Sequence, residues 1–184
     1  MKTPDTNKHV IDVYNTQRNV FNLLNLCYGF SALLGDRDIE ERDEEDLSTP
    51  LLLKKYASFF EKEATSLLIN IAANCRVLDD QLRDTESNID ANSFVNDEEI
   101  GTLEIDDAGS QVNTELTLRE AFNKIIHATY ISHEIIVEEE VVYYIPEVNL
   151  TGKLGKKEWT ASINILPFCI TVFNFLDSVQ SQSL

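Results

Sequence analysis

Arg119, Asn123 and His127 stand at i, i+4 and i+8 in the segment TLREAFNKIIHAT, Thr117 to Thr129. A side chain that titrates near neutrality, a permanent cation and an amide are the types that proton transfer and anion stabilisation need. On a helix these three positions drift through about 80° and rise about 12 Å, so they form a slanted polar stripe. Asn123 and His127 are one turn apart and can touch, while Arg119 needs its full length to reach His127. The plainer alternative is a capped amphipathic helix whose Arg, Asn and His lie beside its apolar face for structural reasons alone.

The elements that must position these side chains follow from caps and periodicity. Thr117 with Glu120 forms a capping box: the hydroxyl accepts from the Glu120 N–H and the carboxylate reaches back to the Thr117 N–H. Leu118, Ala121, Phe122, Ile125, Ile126 and Thr129 then mark one apolar face, and the helix is expected to run to about Ile131. Upstream, a helix is expected from about Thr6 to Leu34, closed by Gly35. A second runs from Thr49-Pro50 to about Asp84, with Thr49 as N-cap and Pro50 in the first helical position. Near its end, Arg76, Asp79 and Asp80 offer a carboxylate that could orient Arg119 or His127, and Glu120 and Lys124 supply charge beside the stripe. Downstream, Trp159, Ala161, Ile163 and Ile165 alternate with polar residues, so 141 to 165 is expected to be a β-hairpin turning at GKLGKK, 152 to 157. Lys153, Lys156 and Lys157 at that turn are the chain's one basic cluster and the one plausible phosphate contact. Pro167 is expected to open a last helix.

The net charge of −17 is unevenly spread. Asp36 to Asp46 carries −6 and Asp84 to Asp107 carries −9, which leaves −2 for the rest. Residues 36–48 and 85–113 are therefore expected to be acidic, mobile loops within a single domain, 1–184. Such a field repels free nucleic acid and suits a basic protein partner. Cys27, Cys75 and Cys169 are isolated in apolar contexts, as reduced cysteines of a cytoplasmic protein would be. The most apolar run, 163 to 176, is too short to span a bilayer, so no membrane partner is expected. His9, His127 and His133 share no metal spacing with the cysteines, and no glycine-rich phosphate loop or nucleophile elbow occurs, so neither metal nor cofactor is expected.

The segment LREAFNKIIHA resembles the motif helix of the HEPN superfamily. More narrowly, it is similar to uncharacterised bacterial proteins with a REA-x-NKIIHA-like helix, followed by a strand region with a Pro, a Gly-containing turn and a Trp, here Pro146, Gly152 and Trp159. The resemblance covers roughly residues 52 to 84 and 115 to 176. It implies a mainly α (α+β) fold, a HEPN-like helical bundle with an added C-terminal β-hairpin. It also implies a homodimer and a metal-independent endoribonuclease of a toxin or defence system, acting on RNA. His127 would be the general acid/base, Arg119 would stabilise charge on the scissile phosphate, and Asn123 would orient either group. Seven residues separate Arg119 from His127, more than the superfamily's pattern has, and Phe122 stands where a tighter pattern would have its Arg.

Two functions from different classes follow. One is that ribonuclease. The other is a non-catalytic acidic binding or immunity module on the same scaffold, with Arg119, Asn123 and His127 in a structural network. Its acidic loops, Asp97, Glu98 and Glu99 among them, would engage a basic protein.

Overall fold

The computed structural model describes residues 11–34, 48–85, 89–94, 99–107, 110–138, 141–155 and 157–182. Four helices, α1 (Val13–Leu34), α2 (Ser48–Asp84), α3 (Leu118–His127) and α4 (Ile165–Gln182), accompany five strands. These are β1 (Gly101–Asp107), β2 (Ser110–Glu115), β3 (Tyr130–Glu138), β4 (Val141–Leu154) and β5 (Lys157–Asn164). They form one antiparallel sheet in the order β2-β1-β5-β4-β3.

The sheet corrects the expectation of a helical bundle with a hairpin appended. The hairpin at 141 to 165 exists as β4 and β5, but both are interior strands of the sheet. Its inner face buries Leu103, Val148, Leu150, Trp159, Ala161 and Ile163, and helix side chains cover them. A strand sends alternate residues to opposite faces, so a five-stranded sheet needs a full layer of helices on its apolar side. That layer is visible in contacts from three helices: Cys27 of α1 meets Tyr144, Thr65 of α2 meets His133, and Lys124 of α3 lies over Trp159. Phe30 of α1 stacks on Phe60 of α2 with centroids 4.2 Å apart, and Tyr144 tilts against both rings.

Three further boundaries differ. The expected loop 85–113 instead contains β1 and most of β2, which runs on to Glu115; Leu103 points inward while Thr102, Glu104 and Asp106 point outward. The motif helix stops at His127 instead of near Ile131, because Ala128 turns extended and Thr129 joins the sheet through its N–H to the Thr151 carbonyl at 2.8 Å. Thr129, Tyr130 and Ile131 are β-branched or aromatic, types that a pleated half-buried surface favours. β5 passes directly into α4 at Ile165, and Pro167 sits in its first turn, where its missing N–H has no helical partner to lose. The Thr6–Val10 start of the first helix, the acidic stretch 36–47, Asp97, Glu98 and Lys156 lie outside the described residues.

In α1 the buried residues Thr16, Val20, Leu23, Cys27 and Phe30 recur at alternating four- and three-residue steps, facing α2, α4 and β4. α2 is one continuous helix of 37 residues, about 55 Å long. Among the described residues no helix is long and apolar enough to cross a membrane.

Candidate functional site

Of the capping box expected at the start of α3, the Thr117 half forms, while the Glu120 carboxylate turns to Lys124 instead of back to the Thr117 N–H. Thr117 adopts extended geometry and its hydroxyl accepts from the Glu120 N–H at 3.3 Å. The Glu120 carboxylate pairs with Lys124 Nζ at 3.2 Å. Lys124 is 7% exposed, its ammonium 4.7 Å from the centroid of the Trp159 ring. A cation over an indole face with a carboxylate alongside is a satisfied arrangement for a buried lysine.

Arg119 leaves α3 toward the end of α2 and forms ion pairs with two carboxylates, Asp79 through Nη1 and Asp80 through Nη2 at 2.8 Å. Asp79 is fully buried and is the hub. One oxygen accepts from the Ala91 N–H at 2.9 Å, and the other takes Arg83 Nε at 3.2 Å together with Arg119. Arg83 also reaches Asp90 at 2.5 Å, and Asp90 caps the short 3-10 turn Ala91–Ser93. Asp80 pairs with Arg76 as well, and Arg76 Nε donates to Asn123 Oδ1 at 2.9 Å. Burial, and then the like charge of Arg76, pull Arg119 below its usual pKa while Glu120 acts the other way. A guanidinium nevertheless stays charged at any working pH.

Arg76, Asp79, Asp80, Arg119 and Asn123 are thus brought into one network, as the sequence suggested they could be. His127 is not in it. It sits in the last turn of α3, exposed, with no hydrogen bond or ion pair to any described residue. Lys153 pairs with Glu158 at 2.8 Å on the sheet face opposite α3, and Lys157 opens β5. The basic turn therefore does not join the α3 network. Gly152 is a strand residue, not a turn residue, and lies directly opposite Trp159.

Sequence reasoning missed Arg83, Asp90 and the Ala91 N–H. The Asp90-x-Asn92 pattern, a carboxylate able to cap its own turn, was the available signal. It also missed His133, which is 9% exposed, edge-on to Phe60, with Nε2 3.3 Å from Thr65 Oγ1. Burial pushes its pKa down to about 4. The three cysteines are free and buried, and burial raises each thiol, which leaves them protonated and unreactive.

The outer sheet face carries a different chemistry. Register and burial place Thr102, Glu104 and Asp106 of β1 beside Glu158, Thr160 and Ser162 of β5 on that side, with Asn113 and Glu115 of β2 and Glu147, Asn149 and Thr151 of β4. Glu134 of β3 accepts from Asn149 at 3.2 Å. Part of the acidity expected in loops therefore lies on the sheet.

No protein-family model, curated protein or solved structure matches the chain.

Proposed function

We propose that the protein is a non-catalytic, acidic binding module that engages a basic protein partner through the outer face of its sheet. The observation that carries this reading is the double engagement of Arg119. With Asp79 and Asp80 both on its guanidinium, its charge is balanced and its donor fork is turned into the α2–α3 interface. A phosphate would have to displace a fully buried carboxylate to reach it. Asn123 is likewise occupied by Arg76, and no described residue stands within hydrogen-bond reach of His127 to orient it for proton transfer. The polar residues of the motif helix thus act as a clamp.

The outer face supports the partner class. Glu104, Asp106, Glu115, Glu147 and Glu158 outnumber its one described cation, Lys153, which Glu158 already pairs. A flat polar face with this excess of carboxylates attracts lysine- and arginine-rich surfaces and repels phosphodiesters. The test is titration of the full chain with a lysine- and arginine-rich peptide across a salt series, beside the triple variant Glu104→Gln, Asp106→Asn, Glu158→Gln. Salt-weakened binding that the variant loses is expected. Binding indifferent to both salt and the variant, or no binding at all, would sink the proposal.

A further inference from the structure

Opposite its buried face, α1 carries a second seam. Tyr14, Phe21 and Tyr28 recur every seven residues and are 71%, 58% and 56% exposed. Arg18, Asn22 and Asn25 are the exposed residues between them, and Gly29 and Ala32 follow. A seven-residue repeat keeps side chains on one slowly drifting stripe, the pattern that packs one helix along another. From Tyr14 to Tyr28 the stripe is about 21 Å long. The helix's own fold is satisfied by Thr16, Val20, Leu23, Cys27 and Phe30, and nothing among the described residues covers the aromatic seam.

Two features of this seam identify what fits it. The first is charge. In a chain of net −17, α1 contains no Asp or Glu, and Arg18 is its single charged residue. A basic partner finds no counter-charge on this helix, whereas two equally acidic copies can approach along it without apposing carboxylates. The second is symmetry. Tyr14, Phe21, Tyr28 reads the same in both directions, so an antiparallel pair about Phe21 is self-complementary, as a two-fold interface requires. That arrangement sets Phe21 on Phe21 of the partner subunit and Tyr14 against Tyr28 of the partner subunit. It also moves Arg18 to the level of Leu24 and Asn25, whereas a parallel pair in register would stack Arg18 on its own copy.

We infer that the α1 seam is a homodimer interface, formed by antiparallel pairing of α1 with α1 of a second copy. No residue of α3 contributes to it, so it is independent of the α2–α3 clamp and of the acidic sheet face.

Sedimentation equilibrium of the full chain is expected to give twice the chain's mass. Phe21→Glu is expected to give the single mass while keeping the wild-type circular dichroism, since Phe21 is exposed in the folded chain, and to lose the concentration dependence of the melt. Rising salt is expected to tighten the pair by screening like charge, the opposite sign to the salt response proposed for a basic partner. Under mild oxidation Phe21→Cys should cross-link to itself. Tyr14→Cys should link only to Tyr28→Cys copies, the native cysteines being buried. A chain that stays monomeric at every concentration, a dimer that persists in Phe21→Glu, or self-linking of Tyr14→Cys would each overturn the interface as drawn.

Discussion

Gly152 and Trp159 face each other across β4 and β5, and a β-carbon built on Gly152 would stand 2.1 Å from the indole ring. The glycine is therefore the space in which the ring lies, and Lys124 of α3 rests its ammonium over the same ring. Sheet and motif helix are joined at this point.

Gly152→Ala is expected to destabilise the fold by about 2 kcal/mol, the usual cost of forcing an extra carbon into a packed site. Adding Trp159→Leu should recover part of that loss, because the smaller side chain vacates the space the methyl needs. Urea denaturation of both singles and the double checks it. Strictly additive losses would mean that the two residues are not coupled.

Removing Asp79 should cost far more than removing Asp80. Asp79→Ala strips a fully buried carboxylate from Arg119, Arg83 and the Ala91 N–H, an effect of about 3–5 kcal/mol for a broken buried pair. The Asp80 side chain is 50% exposed, and its loss is expected to stay within about 1 kcal/mol. Equal losses in denaturation would show that the clamp is not centred on Asp79.

His133 makes stability fall with acid. Burial lowers its folded pKa to about 4, while an unfolded histidine titrates near 6.5. Between these values the unfolded chain binds the extra proton, so this contribution is complete above about pH 6.5 and is lost as pH falls toward 4, by about 3 kcal/mol in all. His133→Gln should flatten that part of the profile relative to wild type. Parallel profiles over this window would contradict the assignment.

His127→Ala is expected to leave both the melting temperature and the response to RNA unchanged, since the imidazole is exposed and unpartnered among the described residues. The check is a metal-free incubation with total RNA, wild type beside variant, with neither producing cleavage. Cleavage by the wild type that the variant loses would reverse the proposed function.

Much of the site was legible in the sequence, and the reasons are local. Thr117 and Glu120 announce the start of α3 three residues apart, and Trp159, Ala161 and Ile163 announce β5 by alternation. The strand β1 has the same alternation, but two of its outward residues, Glu104 and Asp106, are acidic and its inward side offers only two apolar side chains, Leu103 and Ile105, so charge masked the period. The overrun of α3 came from Thr129, which continues the helical spacing of Ile125 and Ile126 until the Thr151 carbonyl claims its N–H. Asp79 and Arg119 stand 40 positions apart, and burial of the first is set by a turn beyond α2, a relation that no short window contains.

The central place of β5 dictates when the sheet can be completed. Gly101 pairs with Ile163, so β1 must wait for a strand synthesised some 60 residues later. β3, β4 and β5 can zip as neighbours in the chain, whereas the β1–β2 hairpin gains its partner only after β5 exists. Until then the β1 edge offers open hydrogen-bonding groups, and docking it closes the longest loop within the sheet. On contact order that step is expected to be the slowest in completing the sheet, and to leave the β1 edge open longest to mispairing with another chain.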